Sequence, residues 1–333
     1  MSAPPAVLRV RDLSVEFRSR TRVVYAVNGL SCRLRRGETL AVVGESGSGK
    51  SAAAHAVMGT LPGSAAVTAG EAWLDGRELT RLPERDRRRI RGREMAIIPQ
   101  DSLSALNPLF TVRNQLGEMF RVHRGLPKRA AELAAVELMD RVGIPDARRR
   151  GGAYPHELSG GMRQRIMIAM AVAVVPRVLI ADEPTTALDV TVQAQLLDLL
   201  EKLQKENGMG ILLISHDLAV VAEAADRVIV MYAGRAVEEA PVGDLYRHPA
   251  HPYSAALLAS VPRLDRPEEE LRPIPGTPPD MSTRPAGCPF LPRCPLAAPR
   301  CAADAPPLRA VAPGRYSACH FPERVAGLGA RDA

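Results

Sequence analysis

Eight consecutive residues, Gly44-Glu45-Ser46-Gly47-Ser48-Gly49-Lys50-Ser51, have the types and spacing needed to hold a polyphosphate. They fit G-x-x-x-x-G-K-[ST]. The glycines let the backbone curl so that successive N–H groups point inward at an anion. A helix that starts at such a loop adds its partial positive charge at the same spot. Lys50 offers a mobile cation to the outer phosphates, and Ser51 offers a hydroxyl to Mg²⁺. The flanks agree with this chemistry. Thr39-Leu40-Ala41-Val42-Val43 reads as a short buried strand, and Ser51 to Leu61 carries a helical pattern. A plain glycine-rich strand-to-helix turn would look the same in isolation, so the decision rests on motifs further along the chain.

Val178-Leu179-Ile180-Ala181-Asp182-Glu183 is an apolar strand ending in two carboxylates. Asp182 at the strand end suits a place in a Mg²⁺ shell, reached through water. Glu183 faces a different direction and suits a general base that polarises an attacking water. The bland alternative is a strand that ends in a polar turn. Leu158-Ser159-Gly160-Gly161-Met162-Arg163-Gln164 is more specific. A serine and two glycines open a helix, making a second anion-binding helix start. A simple N-cap would need Ser159 alone; the glycine pair lets a backbone come close to something else.

The match to L-S-G-G-[QM] makes the chain resemble the ATP-binding-cassette ATPases. The resemblance implies roles for further positions. Gln100, after the strand Met95 to Pro99, matches the glutamine that senses the metal and the attacking water. Asp189, in Ala187-Leu188-Asp189, matches the aspartate loop. His216, in Ile214-Ser215-His216-Asp217, matches the switch histidine. Phe17 matches the aromatic that stacks on adenine, with Tyr25 as its rival. These motifs occur once each, in the family order, across residues 44 to 216. The family fold is an α/β P-loop ATPase with a mixed sheet core, an antiparallel β subdomain and a helical subdomain. In that family two cassettes pair head-to-tail, so Ser159, Gly160 and Gly161 would complete the partner's ATP site and not the site of Lys50. One cassette in the chain implies a second ATPase subunit.

The elements needed to carry these motifs are visible in the patterning. Residues 6 to about 43 alternate apolar and polar, as strands joined by hairpin-like turns do. Glu71 to Gly76 and Met95 to Pro99 read as short strands. From Thr111 to Arg141 the spacing is helical, closed by Gly143 and Pro145. Met162 to Val175 is helical, Val178 to Ala181 a strand, Val190 to Asn207 a helix, Ile211 to Ser215 a strand, Leu218 to Ala225 a helix and Val228 to Met231 a strand. Strands alternating with helices predict a mostly parallel sheet covered on its faces. The expected ATPase domain is 6–260, with a helical subdomain at about 103–170, followed by a small Cys- and Pro-rich domain at 261–325.

Bulk composition sets limits on partners. The chain has 333 residues, 46% apolar and 4% aromatic, with a formal net charge of +7. A basic surface can serve nucleic acid, acidic lipid or anionic ligands. Here the arginine runs, Arg85 to Arg93 and Arg148 to Arg150, lack interleaved aromatics and read as solvated faces. No apolar run reaches the ~18 residues of a membrane helix; the longest, Ile166 to Ile180, is broken by Pro176 and Arg177. Met1 to Pro5 carries no export signal. The expectation is a cytosolic chain that reaches a membrane only through partners.

The tail narrows the family. Arg247-His248-Pro249-Ala250-His251-Pro252-Tyr253-Ser254-Ala255-Ala256-Leu257-Leu258 is similar to the segment after the cassette in dipeptide and oligopeptide importer ATPases. Pro275 to Pro279 and Gly287 to Pro295 extend the likeness. That resemblance implies an ATP-hydrolysing, Mg²⁺-dependent subunit on the cytoplasmic face of the inner membrane. Its partners would be two transmembrane permeases, a solute-binding protein and a second cassette, favoured as a different chain. Nickel importers use similar ATPases, so the solute stays open between peptides, nickel and another small molecule. A soluble cassette ATPase acting on nucleic acid is the competing class; the single cassette, the importer-like tail and the lack of a coiled-coil insertion oppose it. A third possibility is a non-hydrolytic, redox-sensing subunit, opposed by the intact catalytic set.

Cys288, Cys294, Cys301 and Cys319 stand in that tail. A cytosolic setting disfavours disulfides, and the absence of C-x-x-C disfavours a zinc ribbon. Four thiolates suit a [4Fe–4S] cluster, which some members of the resembled subfamily carry there. Zinc and an unmetallated tail remain as alternatives. Cys32 reads as a small buried residue.

Overall fold

The computed structural model describes residues 5–101, 105–186, 188–261 and 273–326. Positions 103–104 of the expected helical subdomain, Ala187 of the aspartate loop and 262–272 of the tail lie outside the described residues. The chain divides into two compact units. One takes Met1–Leu8, Leu34–Glu38 and Arg81–Ile214; the other takes Arg9–Arg33, Thr39–Thr80 and Ser215–Ala333, each over its described part.

In the first unit Met95–Ile98, Val178–Asp182 and Gly210–Ser215 run side by side and parallel. Residues Val178–Asp182 and Gly210–Ser215 are buried throughout. This is why they read as unbroken apolar runs: a parallel strand covered on both faces has no polar side to alternate with. The helical part contains Val112–Arg124, Lys128–Arg141, Gly160–Val172 and Val190–Asn207. The predicted helical region 111–141 is thus two helices. Gly125, at φ 68°, ends the first in the left-handed conformation, and Pro127 caps the second. Val112, Leu116 and Phe120 share a buried stripe, as do Ala131, Ala135, Leu138 and Met139, so periodicity continues across the break.

The second unit holds a four-stranded sheet, in the order Val23–Arg35, Ala6–Arg18, Ala65–Leu74, Arg77–Glu78. Its other strands begin with Thr39–Val43, parallel to Arg227–Tyr232. Arg227–Tyr232 pairs antiparallel with Arg235–Pro241, and the tail hairpin Arg309–Ala312 with Arg315–Ser317 continues that edge antiparallel. The tail therefore adds strands to the sheet that carries the phosphate loop. The helix after that loop runs Lys50–Met58, shorter than the predicted Ser51 to Leu61. Gly59 at φ 67° stops it, donating back to the Ala56 and His55 carbonyls. Tyr232, Tyr253 and Phe290 are fully buried and pack ring to ring, with centroids 4.6 to 5.4 Å apart. Among the described residues no helix is long and apolar enough to cross a membrane.

Candidate nucleotide-binding and hydrolysis site

The second unit builds the phosphate loop. Thr39–Val43 is buried throughout and delivers the chain to Gly44, at φ 151°. A Cβ there would lie 2.2 Å from the Met231 carbonyl oxygen. Gly49, the helix N-cap at φ 101°, is as tightly constrained; its Cβ would lie 2.1 Å from the Ala26 carbonyl oxygen. Two glycines at these points let the loop press against neighbouring backbone and curl. Lys50 is buried and folds its ammonium back over the loop, donating to the carbonyls of Gly44 at 2.8 Å and Glu45 at 3.0 Å. Ser48 Oγ is buried and has no hydrogen-bond partner among the described residues. A buried hydroxyl left in that state is costly, and together with the curled backbone it fits an anion-accepting cradle. Ser46 and Gly47 are exposed. Ser51 follows on the first helical turn.

Glu45 is tethered to the rest of its unit at backbone and side chain. Its N–H donates to the Tyr253 hydroxyl at 2.8 Å, and its carboxylate accepts from both terminal nitrogens of Arg293, at 2.7 and 3.0 Å. Burial pushes the Tyr253 phenol up, so it stays a neutral acceptor. His216 stands exposed at the end of Gly210–Ser215. The next residue, Asp217, caps Leu218–Ala224 by accepting from the Ala219 N–H at 2.8 Å. Phe17 is half-buried on Ala6–Arg18. Tyr25 carries the Arg284 guanidinium over its ring at 4.0 Å.

The first unit carries the candidate carboxylates and the glutamine. Asp182 ends its strand and is 1% exposed. Glu183 turns away in the left-handed region, at φ 49°, and its N–H donates to the Ile214 carbonyl at 2.9 Å. Such a conformation in a residue with a Cβ costs of order 1 kcal/mol and is held by its surroundings. Gln100 Nε2 donates to Glu183 Oε2 at 2.9 Å, and the Thr186 hydroxyl donates to the same oxygen at 3.2 Å. The two positions named from separate motifs thus meet. Ser159 caps Gly160–Val172, its Oγ accepting from the Met162 N–H at 3.3 Å. Gln164, one turn into the same helix, donates to the Pro184 carbonyl beside Glu183. Asp189 caps Val190–Asn207, accepting from the Val192 N–H at 2.9 Å.

Cys288, Cys294, Cys301 and Cys319 line one small cavity with Phe290, His251 and His320. All four are free thiols, and Cys32 is buried as expected. Burial raises the thiols of Cys288 and Cys294 and brings Cys319 to about 11. The donor chemistry suits a cluster, but the spacing does not: no three His, Cys, Asp or Glu among the described residues are grouped closely enough to hold a metal ion.

Comparison with known proteins assigns the chain to one family. The profile described as ABC transporter matches residues 27–186, and that described as Oligopeptide/dipeptide transporter, C-terminal region, matches 237–301. The oligopeptide transport ATP-binding protein OppD of Salmonella typhimurium is 50% identical over 316 residues, covering 95% of this chain and 94% of that protein. OppD of Escherichia coli is 49% identical over 317 residues, with the same coverage. The chain belongs to the ATP-binding subunits of ABC transporters of the oligopeptide/dipeptide type. Among solved structures, the dimeric ATP-binding cassette MJ0796, in a post-hydrolysis state bound to ADP and Pi, superposes with a TM-score of 0.64 at 25% identity. It covers 71% of this chain and 98% of that one. The cassette's chemistry is ATP hydrolysis. Arg293, Tyr253 and Thr186 are the polar contacts that sequence reasoning passed over. Arg293 sits within Gly287 to Pro295, a segment read above for its likeness to importer ATPase tails.

Proposed function

We propose that the chain hydrolyses ATP to drive uptake of dipeptides and oligopeptides, as a peripheral subunit on the cytoplasmic face of the inner membrane. The observation that carries the hydrolytic reading is the Gln100–Glu183 pair at the end of the strand bearing Asp182. The peptide reading rests on the tail, from residue 237 onward, and on the OppD relatives. Nickel or another small solute is the alternative cargo for the same ATPase.

We assign the roles as follows. The curled amides of Gly44 to Gly49 donate to the phosphates, and Lys50 exchanges its two loop carbonyls for the outer phosphate oxygens. Mg²⁺, when bound, neutralises the charge that develops on the phosphates. Ser51, Asp182 and Gln100 are the residues that would hold it. Glu183 accepts the proton of the attacking water, and Gln100 and Thr186 fix which of its oxygens is engaged. His216, at its strand end, serves as the switch residue near the γ-phosphate. Phe17 is the adenine platform, because one face of Tyr25 is taken by Arg284.

A second ATPase subunit, a different chain, completes the site. A Cβ at Gly160 would meet nothing within 4 Å, so glycine there answers no internal need and leaves room for a partner's nucleotide. Two permeases and a solute-binding protein make up the remainder. The [4Fe–4S] reading of the four tail cysteines rests on their thiol chemistry alone, with zinc or no metal as alternatives, and no catalytic step is assigned to them. Iron and acid-labile sulfide after anaerobic purification test that part.

The transport reading is tested by reconstituting the chain with its permeases, second cassette and solute receptor in vesicles. Peptide-stimulated ATP turnover with peptide accumulation is the expected result. Turnover stimulated by nickel and not by any peptide would move the cargo to the alternative.

A further inference from the structure

Glu45 is a carboxylate inside a loop that must accept a triphosphate, an arrangement that repels the ligand unless the charge is answered. Arg293 answers it. The guanidinium forks onto both carboxylate oxygens, at 2.7 and 3.0 Å. Its side chain is only 3% exposed, and every direction around it is fixed. Nε donates to the Pro275 carbonyl at 2.8 Å, Nη1 to the Tyr232 hydroxyl at 3.2 Å and Nη2 to the Ile274 carbonyl at 3.4 Å. The Phe290 and Tyr232 rings flank it, 5.9 and 5.7 Å from centroid to guanidinium carbon. A planar, permanently charged fork held in one orientation suits bidentate recognition of a carboxylate, and a lysine would not reproduce it. The same residue, Glu45, offers its carbonyl to the Lys50 ammonium at 3.0 Å and its N–H to Tyr253 at 2.8 Å. The tail therefore holds the residue on which the loop's own lysine rests.

We propose that Arg293 is a positioning residue for nucleotide binding, which neutralises Glu45 and holds the phosphate loop in the shape that admits the triphosphate. This rests on the assignment of Gly44 to Ser51 as the phosphate loop. Removing Arg293 leaves Glu45 as an uncompensated negative charge beside the ligand. Removing both charges takes the repulsion away again, a result that loss of packing alone would not give.

The test is equilibrium binding of a fluorescent ATP analogue with Mg²⁺ to the full-length chain, for Arg293→Gln, Arg293→Lys, Glu45→Gln, the double variant R293Q/E45Q, and Lys50→Ala. Arg293→Gln is expected to weaken binding about tenfold, with E45Q in the same chain restoring it to within about threefold of the parent. Arg293→Lys, which keeps the charge but not the fork, should fall between. Binding by Arg293→Gln within about twofold of the parent, or a double variant weaker than Arg293→Gln alone, overturns the proposal. Should Arg293→Gln not fold, Arg293→Lys decides: unimpaired binding overturns the proposal, and weakened binding that Glu45→Gln relieves supports it. Lys50→Ala separates the underlying assignment, because parental affinity in that variant would remove the phosphate loop itself.

Discussion

The side-chain amide of Gln100 donates a 2.9 Å hydrogen bond to Oε2 of Glu183, across 83 residues of sequence. Glu183 sits in a left-handed backbone conformation, with Thr186 on the same oxygen. Both side chains donate to the same carboxylate oxygen, while the proposed general-base role needs a carboxylate aimed at water. Gln100 therefore sets the direction of Glu183.

Gln100→Ala should consequently lower the ATP turnover number roughly ten- to a hundredfold through loss of positioning. Because Gln100 is also a proposed Mg²⁺ ligand, affinity for ATP with Mg²⁺ should fall too, but by less than turnover. Steady-state kinetics of the assembled transporter, separating kcat from KM, checks this. An effect confined to KM would place Gln100 in binding and not in orientation.

Gly49→Ala should destabilise the chain by at least about 2 kcal/mol, because it combines a left-handed backbone with backbone contact. A Cβ there would approach the Ala26 carbonyl oxygen to 2.1 Å, and that atom cannot rotate aside. Urea unfolding of the variant, with ATP binding measured beside it, reports the loss. Gly160→Ala is the contrast: its Cβ meets nothing within 4 Å in this chain. It should unfold like the parent and lose turnover only with the second cassette present.

Glu238 supplies a pH signature. Its carboxylate is buried and accepts from the Ala250 and His251 N–H groups at 2.7 and 2.8 Å. Burial outweighs those contacts and raises it from 4.5 to about 7. The folded state therefore binds more protons than the unfolded state in that window, and Glu238's contribution to stability falls as pH rises from about 4.5 through about 7. Buried His251, lowered to about 3, gives a slope of opposite sign below its ordinary 6.5. Comparison of Glu238→Gln with the parent cancels the histidine. The variant should gain about 2–3 kcal/mol relative to the parent between pH 5 and pH 8. Unfolding curves at the two pH values check it; a constant difference would show that Glu238 ionises normally.

The local chemistry of this chain was legible, because it is written in contiguous residues. The loop from Gly44 to Ser51, the capped helix start at Ser159 and the paired carboxylates Asp182 and Glu183 each carry their geometry in a few neighbouring positions. Motif order named Gln100 and Glu183 separately, and only the fold shows that they touch. The break between Val112–Arg124 and Lys128–Arg141 was passed over, although Gly125 and Pro127 announce it, because buried stripes on both sides carry the periodicity across. The Arg293–Glu45 pair spans 248 residues. An arginine among cysteines and a glutamate inside a phosphate loop have no shared pattern, and only the fold of the tail onto that loop brings them together.

The most direct test of the central claim is Glu183→Gln, measured for ATP binding and for ATP turnover in the same preparation. Removing a general base while keeping its shape should cost roughly 10²–10⁴ in turnover. Binding with Mg²⁺ should stay intact. Turnover close to that of the parent would contradict the account, since Glu183 would then not be the group that activates water.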